Sequence, residues 1–172
     1  MSTTEHGFAE SSRQLQPGLA LRSSDVYVVG REKVREFARG ILAMDPVHHD
    51  VDAARQSGYA DLVAPPTFTA VVTATLIRDM LTDPDSAIDL SRQTPIHVNE
   101  KIVLAAPIVA GDVLTASLTV TGASERGGAV FLDTETVLRT ADGEPRSTVS
   151  SSILLTPNTE PASPEPELVG AR

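Results

Sequence analysis

The chain has 172 residues, no cysteine and a net charge of −9. That length fits one domain with a sizeable core, and the lack of cysteine excludes disulfides, thiolate nucleophiles and cysteine zinc sites while suiting a reducing, cytoplasmic setting. The acidic balance argues against nucleic acid, and 3% aromatics with no tryptophan leaves no stacking platform for bases or sugars.

Residues 1–24 are polar, and their first part has no clear period; they read as an N-terminal arm, with no secretory signal peptide expected. Val26-Tyr27-Val28-Val29 is a short β-prone run closed by Gly30. Residues 31–43 form an amphipathic helical pattern, with Val34, Phe37, Ala38, Ile41 and Leu42 on one face. Arg31, Lys33, Arg35 and Arg39 lie opposite, offset by Glu32 and Glu36. They read either as a solvated face or as a docking patch for an acidic carrier or phosphate-bearing ligand.

Pro46 breaks helical continuation. Asp50 can cap a short helix over 51–57, with Gly58 suited to its end. Pro65-Pro66 imposes an extended bend, and Thr67 can cap the element that follows. Residues 68–81 are almost wholly apolar or Thr, as in a run buried on all sides. Their β-branched content leaves helix against strand open, and the length of the run favours a helix.

Residues 82–93 are a loop. Strands follow over 95–104, 113–122, 129–140 and 146–155, with turns at Gly111-Asp112, Arg126-Gly127-Gly128 and Asp142-Gly143. Residues 157–172 read as an acidic, proline-rich disordered tail. The domain proper is therefore expected over 25–156. Helices early and strands late predict an α+β fold, a four-strand antiparallel meander wrapped on one buried helix. No apolar run reaches the ~18–20 residues of a membrane span.

Chemistry concentrates in Ala43-Met44-Asp45-Pro46-Val47-His48-His49-Asp50. His48 with Asp45 can form an acid–base pair, the histidine moving a proton near neutral pH beside a carboxylate. The plainer reading makes both surface or capping residues. His49 is expected to face solvent, and His97 can point to either face of its strand. The histidines lack helical metal-pair spacing. There is no Gly-x-Ser-x-Gly elbow and no phosphate loop, so neither a metal nor a cofactor is expected.

These motifs together resemble a family. Arg31-Glu32-Lys33-Val34-Arg35-Glu36-Phe37-Ala38, the Asp-Pro-Val-His-His-Asp turn, Ala53-Ala54 to Gly58-Tyr59, Val63-Ala64-Pro65-Pro66-Thr67-Phe68 and Pro107-Ile108-Val109-Ala110-Gly111-Asp112 resemble a MaoC-like hot-dog dehydratase. The narrower likeness is to its N-terminal, type-I-fatty-acid-synthase-like branch, which includes the substrate-binding subunits of heterodimeric (3R)-hydroxyacyl-carrier-protein dehydratases. The resemblance covers roughly residues 26–155. It implies an antiparallel sheet wrapped around a central helix, pairing into dimers, and reversible syn removal of water from a (3R)-3-hydroxyacyl thioester on a carrier protein or coenzyme A.

The active pattern of that family reads Gly-Asp-x-Asn-Pro-Leu-His. Laid on this chain it puts the proline on Pro46 and the histidine on His48. The asparagine falls on Asp45, the catalytic aspartate on Ala43 and the glycine on Leu42. The family's Ala-His-Gly turn, which offers an N–H to the thioester oxygen, is here Ala64-Pro65-Pro66. Proline has no N–H to give, and such a donor is worth ~3–4 kcal/mol.

Three functions follow as expectations. The chain is the substrate-binding half of a dehydratase whose MaoC-like partner supplies the Asp–His pair. Alternatively it is a self-sufficient homodimeric hydratase using His48 and Asp45, or an acyl-thioester binding module without turnover. In each, the acyl group lies by Pro65, Pro66, Thr67 and Phe68 and along Val71, Val72 and Thr75. For any one of the helix residues, ordinary core packing is the competing reading.

Overall fold

The computed structural model describes residues 17–83 and 88–158. The outer part of the expected arm, the centre of the 82–93 loop and nearly all of the expected tail lie outside those residues. In order come β1 (Ala20–Arg22), β2 (Tyr27–Val28), α1 (Arg31–Gly40), a 3-10 turn (Pro46–His48) and α2 (Val51–Gln56). A second 3-10 turn (Pro66–Phe68), α3 (Thr69–Thr82), β3 (Gln93–Leu104), β4 (Val113–Arg126), β5 (Ala129–Thr140) and β6 (Pro145–Pro157) complete the chain.

All six strands form one antiparallel sheet in the order β1-β4-β5-β6-β3, with β2 also paired to β4. Only β4–β5–β6 is a meander, because β3 sits at the far edge beside β6. The segment between β3 and β4 makes no hairpin. It carries Pro107 and bridges to the loop before α3 through Val63 and Val109. β1 falls inside the expected arm, and β6 runs to Pro157, where Asn158 N donates to Arg92 O at 2.8 Å.

The alternation expected in residues 113–122 is present: Leu114, Ala116, Leu118 and Val120 are buried. Gly127 and Gly128 both have positive φ (60° and 78°), the backbone that a two-residue hairpin between β4 and β5 demands and that glycine adopts freely.

The apolar 69–82 stretch is a helix, as its length suggested, but it is not buried on all sides. Thr69, Val72, Thr73, Leu76 and Met80 face the core, while Ala70, Ala74 and Thr75 are exposed. The sheet curls over one side of the helix, so only the i, i+3, i+4, i+7 stripe is covered.

α1 ends at Gly40 rather than running to residue 43. Leu42 adopts φ 57°. Its N–H donates to Arg39 O at 3.2 Å and the N–H of Ala43 to Ala38 O at 2.9 Å. This is a Schellman closure. The C-terminus of α2 closes in the same way, with Gly58 N on Arg55 O at 3.0 Å and Tyr59 N on Ala54 O at 3.0 Å. There the left-handed position is a glycine at φ 90°; in α1 it is a leucine, 78% exposed. The turn swings Ile41 and Leu42 off the expected core face. A left-handed leucine costs about 1 kcal/mol, and little packing is lost with it. Leu42→Gly is therefore expected to raise stability by up to about 1 kcal/mol, read as a higher urea midpoint with an unchanged slope.

Candidate functional site

Two turns meet at Val63. Its N–H donates to Val47 O at 3.0 Å, and its carbonyl accepts from His48 Nδ1 at 2.6 Å. A carbonyl can only accept, so in the neutral ring Nδ1 carries the hydrogen and Nε2 the lone pair. Val63 is itself held on the segment before β4: Ala64 N donates to Ile108 O at 2.8 Å and Ala110 N to Leu62 O at 2.9 Å. The orientation of His48 thus depends on the packed body of the domain.

The first turn is tied down at three further points. Asp45 Oδ1 accepts from Val47 N at 3.1 Å and caps the 3-10 turn. His49 Nε2 donates to Ala43 O at 2.7 Å. Arg35 Nε donates to His49 O at 2.8 Å. His49 is therefore half-buried and structural, not turned to solvent as expected. Asp45 lies beside His48 in the chain, yet among the described residues no side-chain hydrogen bond joins them. Its Oδ1 is taken by the cap, because a side-chain oxygen two residues before a free N–H reaches it readily. Ala43 offers its backbone carbonyl to the His49 ring.

In the second turn Pro65 is buried, Pro66 and Thr67 are exposed, and Phe68 is fully buried in the core. Thr67 caps nothing. Thr69 Oγ1 closes the turn on Pro66 O at 3.3 Å instead. Of the helix positions expected along an acyl chain, Val72 is buried with Phe68, Val71 is half-buried and Thr75 is exposed. The set is split: Phe68 and Val72 pack inward, while Pro66, Thr67 and Thr75 are open to an incoming group.

The basic face of α1 is mostly neutralised within the chain. Arg31 makes a two-pronged pair with Asp61 at 2.8 and 2.6 Å, Lys33 pairs with Glu36 at 3.1 Å, and Arg35 pairs with Glu32. Only the Arg39 guanidinium has no partner among the described residues, which weakens the docking-patch alternative. His97 is exposed, 3.6 Å from Glu100.

The Arg31 guanidinium holds the Asp61 carboxyl down from 3.8 to about 2. A lowered value in the fold means that the pair stabilises fully above 3.8 and is lost as the pH falls towards about 2. Asp61→Asn is expected to lower stability at neutral pH, to leave it unchanged at the acid end of that window, and to shrink in effect with added salt, since Arg31 is half exposed. Urea titrations at several pH values measure this.

Val63 and Arg35 fall within the family motifs, yet the resemblance assigns no role to either, and Asp61 lies outside those motifs. Their roles come from backbone groups and from partners 14 to 30 positions away. No group of three or more His, Asp or Glu able to hold a metal ion occurs among the described residues. No helix there is long and apolar enough to cross a membrane.

An antiparallel sheet curled over one long helix, with a histidine turn and a proline turn locked together beside the start of that helix, is a hot-dog fold of the hydratase and dehydratase type. Residues 16–149 match the FAS1-like, dehydratase domain region, and the chain belongs to that MaoC-like family. Among its relatives is a UPF0336 protein of Clavibacter michiganensis, 42% identical over 138 residues, 80% of this chain and 91% of that one. The HadBC (3R-hydroxyacyl-ACP dehydratase) complex of Mycobacterium tuberculosis contains a chain 30% identical to this one. It superposes with a TM-score of 0.71 and covers 80% of this chain and 96% of its own. The R-hydratase PhaJ1 of Pseudomonas aeruginosa shares the fold at 17% identity, with a TM-score of 0.67 over 92% of this chain and 96% of its own.

Proposed function

We propose that this chain is the substrate-binding half of a (3R)-3-hydroxyacyl thioester dehydratase, working with a MaoC-like partner that supplies the acid–base pair. One observation carries the reading: His48 is held through Nδ1 on Val63 O, yet among the described residues no hydrogen bond joins its ring to a carboxylate. Ala43 stands where the active pattern has aspartate, and Asp45 caps Val47 N through Oδ1 with no side-chain bond to His48 among the described residues. The Ala64-Pro65-Pro66 turn also lacks the N–H that would polarise a thioester carbonyl. What remains fits binding: an exposed Pro66–Thr67 lip and Thr75 beside half-buried Val71 at the start of the helix. The solved chain from the HadBC complex, similar over four-fifths of this one, supports a two-chain enzyme.

The test is turnover of a (3R)-3-hydroxyacyl thioester, followed as enoyl absorbance. The purified chain alone is expected to be silent. Addition of a MaoC-like chain from the same genome, carrying the Gly-Asp-x-Asn-Pro-Leu-His pattern, is expected to give turnover above that of the partner alone. The free Nε2 of His48 favours a second reading, a self-sufficient hydratase. Turnover by the chain alone that disappears in His48→Ala would establish it in place of the first.

A further inference from the structure

The concave face of the sheet is not wholly apolar. Ser147 Oγ is buried and has no hydrogen-bond partner among the described residues. Thr134, Thr136 and Ser151, 2 to 6% exposed, make no side-chain hydrogen bond there either. Other buried hydroxyls are used: Thr69 Oγ1 donates to Pro66 O, and Thr140 Oγ1 accepts from Glu144 N. The four idle ones form a patch. Thr134 stands opposite Ser151 and Thr136 opposite Val149, with Ser147 two positions from Val149 on the same face of β6. Side chains opposite or diagonal to one another across a ladder lie within about 4.5–8 Å.

β3 extends this patch to the edge of the sheet. Glu100 pairs with Ser151, and His97 with Ile153. Three positions apart, His97 and Glu100 would point to opposite faces of a regular strand. The register shift between His97 and Asn99 sets both on the concave face, with His97 Nε2 3.6 Å from Glu100 Oε2. The Glu100 side chain is 25% exposed, so the row Thr134–Ser151–Glu100 runs from the core to an open carboxylate. An unpaired buried hydroxyl destabilises a fold. Alanine or valine would fill the same space without that loss.

We infer that this row is a subsite for a hydroxyl carried on the acyl chain beyond the reacting carbons, so that the substrate class is a hydroxylated acyl thioester. The inference deepens the binding role proposed above and rests on it. β3 lies against the Pro66–Phe68 turn. At Leu104 it leads into the segment whose Ile108 carbonyl holds Ala64, so Leu104 is the end nearer the proline turn. Glu100 lies further along the strand, about 13 Å away at ~3.3 Å per residue. The carboxylate selects the group: it can only accept, so its ligand must donate, while serine and threonine hydroxyls do either. A hydroxyl satisfies both kinds of partner; a keto oxygen does not.

Binding is measured by calorimetry on the full chain, alone and mixed with the MaoC-like chain of the same genome. The probes are dodecanoyl coenzyme A and its isomers carrying one hydroxyl, or one keto oxygen, at successive carbons beyond the third. One hydroxyl isomer is expected to bind at least about tenfold tighter than the unsubstituted chain, and its keto counterpart no tighter. Thr134→Val/Ser151→Ala is expected to bring that ratio close to one while the melting temperature holds or rises, since two unpaired hydroxyls leave the core. Glu100→Gln is expected to admit the keto isomer, because its amide donates. Ser150→Ala, on the opposite face of β6, is expected to keep the wild-type ratio. No preferred hydroxyl isomer, a preference that survives the double variant, or keto and hydroxyl isomers bound alike by the wild type would each overturn the subsite. Binding of the plain chain and turnover in the mixture, without any such preference, would remove the subsite alone. A hydroxyl preference in a mixture without turnover would remove the dehydratase reading and leave the subsite standing. Absence of binding by every probe would remove both.

Discussion

Phe68→Ala is expected to destabilise the chain by about 3–5 kcal/mol, the usual loss when a fully buried phenylalanine is emptied from a core. Phe68 is wholly buried and heads the largest buried side chains of the domain. It stands edge-on to Phe37 of α1 at 5.4 Å between ring centres and to Tyr27 of β2 at 6.1 Å. One ring thus joins the first helix, the short second strand and the start of the central helix. The loss would be a large share of the ~5–15 kcal/mol that holds an ordinary domain. Phe68→Leu keeps most of the apolar contact but gives up the ring edges, so about 1–2 kcal/mol is expected. Urea unfolding of the two variants should rank them in that order. Equal midpoints would mean that the site collapses around alanine. Because the ring is closed off from solvent, any loss of acyl binding in Phe68→Ala would follow from the loosened start of α3 and not from a lost ligand contact.

Asp112→Ala is expected to cost about 3–5 kcal/mol for a different reason: it strands a charge. Arg146 Nε and Nη2 hold the two Asp112 oxygens at 2.8 and 2.9 Å, and the side chains are only 18% and 9% exposed. Asp112 Oδ2 also accepts from Val109 N at 3.1 Å. Alanine would leave the guanidinium without its carboxylate and this N–H without its acceptor. The pairing already favours the protonated guanidinium, through hydrogen bonding to Asp112 first. Asp112→Asn retains an oxygen for Val109 and should lose less. Asp112→Ala/Arg146→Met should recover part of the loss, since an apolar pair leaves no buried charge. A double variant no more stable than Asp112→Ala would show that the pair matters for backbone geometry instead. Ile108 O and Ala110 N beside this ion pair hold Ala64 and Leu62. Loosening it should therefore also release the Val63 carbonyl that orients His48.

Much of the architecture was legible because it is written in local periods. The two-residue alternation of 113–122, the apolar run that became α3, and the turns at Gly127-Gly128 and Asp142-Gly143 all report what the backbone does within a few positions. Asp50 capping α2 through Asp52 N at 2.7 Å and Ala53 N at 3.1 Å is equally local. The histidine turn and the proline turn were both visible as rigid turns in the sequence, but their meeting at Val63 was not. The pairing of Asp45 with His48 was not legible. Both a cap and an acid–base pair are open to an aspartate three residues before a histidine, and only the backbone path selects the cap.

By itself the sequence determined the α+β class, the family and the order of the elements from β2 onward, since each depends on residue identity or on neighbours in the chain. The tertiary structure alone decided that Leu42 turns left-handed and leaves the core. It alone placed β3 at an open edge beside β6, paired Arg31 with Asp61 across 30 positions and Arg146 with Asp112 across 34, and made Val63 the residue that aims His48. Contacts between distant positions depend on how the curled sheet brings segments together, and no local period records that.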